Sequence, residues 1–175
     1  PDHISRFELA EVGTWSSYLN GVSSAGHDAS VTRFGQAHAL KSPVLRSMLM
    51  NRVKNFSAED SDHLPEIVDH YASTSTNFAL DLVSSFSSAQ LYEQLIDLEF
   101  KPVVHYDQHY YPLHRELPPV DLPEDITIQS APVEQFINAF VPGLGLDEER
   151  REKHRPMGML GWGHPDLNKL VVISD

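Results

Sequence analysis

The chain moves between stretches that repeat apolar residues at helical spacing, stretches that alternate apolar and polar positions, and stretches that do neither. Leu9, Val12, Trp15 and Leu19 keep a helical stripe, and Gly21 predicts its stop. Positions 20–43 are rich in Gly, Ser, Ala and His with weak periodicity, which predicts a loop holding one short helix. Ser47 to Val53 suits a strand, and Asp60, Ser61 and Asp62 offer caps for a helix with Pro65 in its first turn and Ile67, Val68 and Tyr71 on its apolar side. Phe78, Leu80 and Leu82 alternate with Ala79 and Asp81 as a short strand. Ser87 to Gln90 fits a capping box before Leu91, Leu95 and Leu98. Lys101 to Leu113 predicts a further strand, ended by Pro112 and by Leu117-Pro118-Pro119.

Strand, helix, strand, helix, strand between Ser47 and Leu113 predicts an α/β (α+β) class: a mixed sheet flanked by helices. Leu117 to Asp125 holds three prolines and three acids and has the composition of a linker. Beyond it, Ile126-Thr127-Ile128 opens a new unit, and Val133, Phe136, Ile137 and Phe140 stripe a helix that begins at Pro132. The charged run Asp147 to Arg155 predicts a solvated helix. Leu170-Val171-Val172-Ile173 is the unbroken apolar pattern of a strand covered on both faces, so the expectation is that partner strands lie beyond Asp175.

Composition narrows the classes. Twenty-five acids against thirteen Lys and Arg leave a formal charge of −12, which argues against nucleic acid and against an anionic membrane surface as partners. Cysteine is absent, so disulfides, Cys-ligated zinc and a thiol nucleophile are excluded for these residues, and a cytoplasmic setting is expected. No apolar run approaches the roughly 18 residues needed to cross a bilayer. The start, Pro1 to Arg6, lacks both a signal-peptide pattern and an initiator Met, so trimming is expected there.

Several constellations resemble chemistry. His105, Asp107 and His109 would share one strand face and could ligate zinc or iron. In a chain with ten histidines such alternation arises cheaply, and the expectation is a polar face without metal. Gly158-Met159-Leu160-Gly161-Trp162-Gly163 suggests a nucleotide loop, but it neither follows a strand nor opens a helix, so a flexible loop is expected. No Gly-x-Ser-x-Gly elbow supports a hydrolase. Glu134 could face an amine, although a first-turn Glu complementing the helix dipole is the commoner role. Trp15, Phe136, Phe140 and Trp162 are expected in a core or interface.

Four features together resemble the GNAT N-acetyltransferase superfamily, more particularly the N-terminal half of a tandem protein. Trp15 lies in an opening helix and Asn51-Arg52-Val53 on a central strand. Leu95 to Pro102 stands where the family has a helix-ending Leu-Tyr-x-x-Leu-Gly-Phe pattern, and His109 to Leu113 with Arg115 to Pro118 resemble the close of a first unit. The resemblance covers about two-thirds of the chain. It implies a degenerate GNAT-like domain over 1–117, a linker over 118–125 and the beginning of a second such domain over 126–175. The implied reaction is acetyl transfer from acetyl-CoA to a small-molecule or peptide amine, with a homo-oligomer left open. The departures weigh against chemistry in the first unit. The family's Arg/Gln-x-x-Gly-x-Gly/Ala turn would fall at Lys54 to Asp60, which has no glycine and carries Glu59 and Asp60. The family's general-acid tyrosine would fall at Leu95, with Tyr92 displaced around the helix. Catalytic and cofactor-binding residues are therefore unassigned, and acetyl-CoA is expected to bind this segment weakly. The alternative is a binding or scaffolding domain that keeps a GNAT-like shape without chemistry.

Overall fold

A computed structural model describes residues 3–45, 47–48, 50–104, 123–143 and 147–174. The chain is mixed α/β, with a four-stranded mixed sheet flanked by helices and a separate two-stranded sheet.

The first helix, α1, spans His3–Ser24, passing the stop expected at Gly21. Gly21 is tolerated inside it because a side chain there would strike the backbone of Leu160 and Gly161. The buried face is Glu8, Val12, Tyr18, Leu19 and Val22, whereas Leu9 is 47% exposed. The expected loop over 20–43 is instead a hairpin, β1 (Ser30–Phe34) with β2 (Ala37–Lys41), antiparallel from Ser30↔Lys41 to Phe34↔Ala37. Its small residues hid the period: Ala37 and Ala39 are fully buried in one cluster with Leu64, Ile67 and Tyr71. Gly35 makes the turn at φ +61, and a Cβ there would also meet the Asp60 carboxylate.

The central strand β3 is Arg52–Phe56, shifted from the expected 47–53. Asn51 instead clamps the preceding loop, accepting from Ser42 N at 2.7 Å and donating to Ser42 O at 3.2 Å and Ser47 O at 2.9 Å. β3 pairs antiparallel with β2 (Ala39↔Val53) and parallel with β4 (Ala79–Leu82). A 3-10 helix, Ala58–His63, and helix α2, Leu64–Ala72, make the crossover between them. Ser57 caps the 3-10 helix in a reciprocal capping box with Asp60, and α2 follows from His63 without a side-chain cap, so none of Asp60, Ser61 or Asp62 caps it as expected. Leu64, Ile67 and Tyr71 of α2 are buried against Ala37, Ala39, Val53 and Phe56, each contributing roughly 1.5–3 kcal/mol of apolar burial. Helix α3 spans Ala89–Asp97, capped by Ser88, one residue past the expected box at Ser87. It buries Leu91 and Leu95 in the same core. Residues 101–104 form no strand, and the rest of the strand expected to Leu113 lies outside the described residues, as does 117–122 of the expected linker.

In the remainder, β5 (Ile126–Ser130) pairs antiparallel with β6 (Leu170–Ser174), joined by α4 (Val133–Gly143) and α5 (Glu148–Trp162). Of the glycines expected in a flexible loop, Gly158 and Gly161 lie in the last turns of α5, which runs well past Arg155, and Gly163 follows its end. Gly161 sits flat against the Tyr18 ring, and Gly158 takes Ile137 of α4 at 2.9 Å from where its Cβ would be. Trp162 fills the space between helices, packing on Trp15, Tyr18, Phe136 and Phe140 with ring centroids 5.3–6.0 Å apart. β6 is covered on one face, not two. Val171 is 6% exposed, whereas Leu170 and Val172 stand 59% and 65% exposed; among the described residues β6 pairs only with β5, and it packs on α4.

Candidate functional site

Parallel strands release their chain at the same edge, so β3 and β4 both deliver their carboxyl ends to one place. The pairing Val53↔Leu80 is followed by Phe56↔Leu82, which puts one extra residue on β3. The bulge turns Asn55 to φ 55 and takes its N–H out of the ladder. Beside it opens a cleft of about 570 Å³, whose lining includes Gln36, Asn55, Ser57 and Glu59 together with Leu9 and Phe86.

Four of the backbone donors at the cleft are engaged by the chain's own side chains. Asn55 N–H donates to Glu8 Oε2 at 3.3 Å, and Gln36 N–H donates to Asp60 Oδ1 at 2.7 Å. Ser57 N–H donates to Asp60 Oδ2 at 3.0 Å, and Glu59 N–H to Ser57 Oγ at 3.2 Å. Asp60, expected as a repulsive surface acid, is buried and holds the turn together. Only Glu59 remains a solvent-facing acid in this turn. Among the described residues, no Lys, Arg or His lines the cleft.

Behind it lies a buried ionic cluster. Lys54 belongs to β3 rather than to the turn, and its Nζ, 1% exposed, pairs with Glu11 and with Asp81 at 2.8 Å. Arg52 adds a second contact to Asp81 at 3.1 Å. Burial alone would lower the Lys54 pKa, but hydrogen bonds from Asp81 and Glu11 outweigh it and raise it. Glu8 moves up because burial outweighs the nearby Lys54 and the Asn55 N–H, and because Glu11 and Asp81 add like charge.

The remaining candidates fall apart in space. Leu95 is 5% exposed in the core, while Tyr92, one turn earlier on α3, is 46% exposed, and neither is among the residues lining the cleft. Glu134 sits in the first turn of α4 as a dipole-complementing residue. Trp15, Phe136, Phe140 and Trp162 form the inter-helix packing described above. His105, Asp107 and His109 lie outside the described residues. Among the described residues no three His, Cys, Asp or Glu side chains gather as a metal site, and no helix is long and apolar enough to cross a membrane. The Glu8–Lys54 relation escaped the sequence reading, since a helix carboxylate and a strand lysine signal nothing until the two elements pack. Comparison with known proteins returns no matching family model, curated protein or solved structure.

Proposed function

We propose that the chain belongs to a GNAT-type N-acyltransferase polypeptide, transferring acetyl from acetyl-CoA to an amine, in which the unit 1–117 is non-catalytic. Two features support a common plan: the antiparallel run β1-β2-β3 followed by parallel β4, and a bulge on β3 where the crossover helix begins. The observation that carries the non-catalytic reading is the occupation of the cleft's donors by the chain's own side chains. A diphosphate needs backbone N–H groups and tolerates no adjacent uncompensated acids. Here Glu8, Ser57 and Asp60 take those donors, and Glu59 stands at the mouth.

The test reverses the defect. Titrating the chain with acetyl-CoA by calorimetry should give weak or no binding, and the Glu8→Gln/Glu59→Gln variant, which removes both acid charges while keeping side-chain acceptors, should bind several-fold tighter. Low-micromolar binding by the unaltered chain, abolished by changes at Ser57 and Asp60, contradicts a non-binding first unit. No gain in the double variant moves the binding-domain reading to first place. That second reading is favoured by the solvent-facing apolar residues Ile128, Leu170 and Val172, which suit a surface that docks rather than catalyses.

A further inference from the structure

Helix α1 is fastened to the rest of the chain in two different ways along its length. Its second half is anchored by apolar packing. Tyr18, Leu19 and Val22 are buried in the cluster they share with Leu40 and Leu167, and Gly21 lies against the backbone of Leu160 and Gly161. Its first half, residues 3–12, contributes to neither apolar cluster. Only Glu8 and Val12 are buried there, while Ile4 and Leu9 stand 38% and 47% exposed. What holds this half is polar: Glu8 Oε2 accepts from the Asn55 N–H at 3.3 Å, and Glu11 pairs with Lys54. Burial of the Glu8 carboxylate is unfavourable and raises its pKa, so its return to water offsets part of the contact it gives up.

Gly13 divides the two halves. A Cβ at Gly13 would meet nothing within 4 Å, so packing does not demand a glycine, whereas at Gly21 a Cβ would stand 2.4 Å from the Leu160 carbonyl oxygen. An exposed glycine inside a helix makes the helix easier to break at that point than alanine does. The half before it is also part of the cleft, since Ser5 and Leu9 belong to the cleft's lining.

We propose that residues 3–12 of α1 form a strap over the cleft, closed by the Glu8–Asn55 and Glu11–Lys54 contacts and opening about Gly13. Opening returns the Asn55 N–H to the cleft and withdraws Ser5 and Leu9 from its lining, while the second half of α1 stays docked. It gives up one hydrogen bond, one ion pair and the burial of Val12, and leaves both apolar clusters whole. Lys54 keeps Asp81 at 2.8 Å, so no buried cation is stranded. Few buried apolar contacts place such a motion at the low end of opening free energies. The strap governs access to the cleft rather than chemistry in it. The inference goes beyond the acyltransferase reading without depending on it, and no acetyl-CoA enters its test.

The experiment is residue-resolved hydrogen exchange by NMR on the whole chain. The Asn55 amide is the probe, because its acceptor is Glu8 of the strap. It should exchange about tenfold faster than the Val53 amide or more, while Leu19 and Val22 stay as slow as Val53. Gly13→Ala, which stiffens the pivot without touching the cleft, should slow Asn55 exchange about two- to fivefold. Glu11→Gln, which weakens the second fastening and leaves the Asn55 acceptor in place, should speed it about twofold or more. Four results would overturn the proposal. Asn55 exchanging no faster than Val53 means that the strap opens only with the whole fold. An Asn55 rate indifferent to Gly13→Ala means that the bulge frays without α1, and one indifferent to Glu11→Gln means that the ion pair does not hold the strap. Leu19 and Val22 exchanging together with Asn55 means that α1 leaves as one body.

Discussion

Asn51 is wholly buried and uses both ends of its amide, holding Ser42 from two sides and Ser47 from a third. Ser42 is itself fully buried, so an Asn51→Ala change leaves a buried N–H and C=O without partners. The expected cost is about 2–3 kcal/mol, read from urea unfolding; a loss under about 0.5 kcal/mol would mean water replaces the amide. The sequence placed Asn51 on the central strand, because a polar residue before Arg52-Val53 resembles a strand end as much as a loop clamp. Titratable residues add a second expectation. His38 and His70 both have lowered pKa values, chiefly through burial, and each keeps one ring nitrogen buried without a partner. His38 also faces Arg33 on one side and Asp60 on the other, and His70 faces Lys41. A depressed histidine resists protonation in the folded state while the unfolded chain takes the proton, so stability present above the unfolded pKa of about 6.5 is lost as pH falls. Glu8 works the other way, since its raised pKa lets the folded state take up a proton first as pH drops toward the carboxylate range. The melting temperature should therefore fall between pH 7 and pH 5, and His38→Gln/His70→Gln should flatten that slope. An unchanged slope in the double variant would place the acid sensitivity elsewhere.

Between elements, the crossing of α1 and α5 depends on what two glycines lack. Gly21 lets α1 approach the Leu160 carbonyl, and Gly161 lets α5 lie on the Tyr18 ring, whose hydroxyl donates to Met157 O at 3.2 Å. Burial here pushes the Tyr18 phenol up to about 12, so it stays a donor throughout the neutral range. A Gly161→Ala methyl would overlap that ring, at a cost of about 1–3 kcal/mol and with a change in tryptophan fluorescence from the Trp15–Trp162 contact. Gly13→Ala on the same helix α1 meets nothing within 4 Å and should instead stabilise by about 0.5–1 kcal/mol. If the two changes shift the melting temperature alike, close approach is not what Gly161 provides. The pair also shows why elements differed in legibility. α2 and α3 carried caps and large apolar residues at helical spacing, and both were foreseen within a few residues. The β1–β2 hairpin and the end of α5 are built from Ala and Gly at close contacts, where space rather than hydrophobicity selects the residue, and a hydrophobic period is blind to them.

At the scale of the molecule, the chain is stabilised unevenly, and the candidate site is unevenly legible for the same reason. The missing glycines of the Lys54–Asp60 turn were plain in the sequence, but the use of Asp60 and Glu8 to fill the vacated donors depends on elements meeting from far apart in the chain. The four-stranded sheet has α2 and α3 on one side and α1 on the other, with Val53, Ala39 and Leu40 all within 1% of full burial. Among the described residues, the β5–β6 pair packs one face chiefly on α4, and Ile128, Leu170 and Val172 remain largely exposed on the other. A two-stranded sheet is marginal alone, and covering one face supplies only part of the apolar burial that holds a strand. Its links to the rest are Leu167 and Trp162, which join the cluster around Tyr18, Leu19 and Leu40. Opening β5–β6 therefore exposes little that is not already wet, while opening β2–β3 dismantles both clusters. Hydrogen exchange should separate the two: amides paired within β5 and β6 should exchange at least tenfold faster than those of Val53 and Leu40, a gap of about 1.4 kcal/mol in opening free energy. Adding Leu170→Thr and Val172→Thr, which remove exposed apolar surface without touching Val171, should leave the global melting temperature nearly unchanged. Equal protection in the two sheets, or a large loss of stability from the threonine pair, would show that something covers the exposed face in solution and that the chain opens as a single unit.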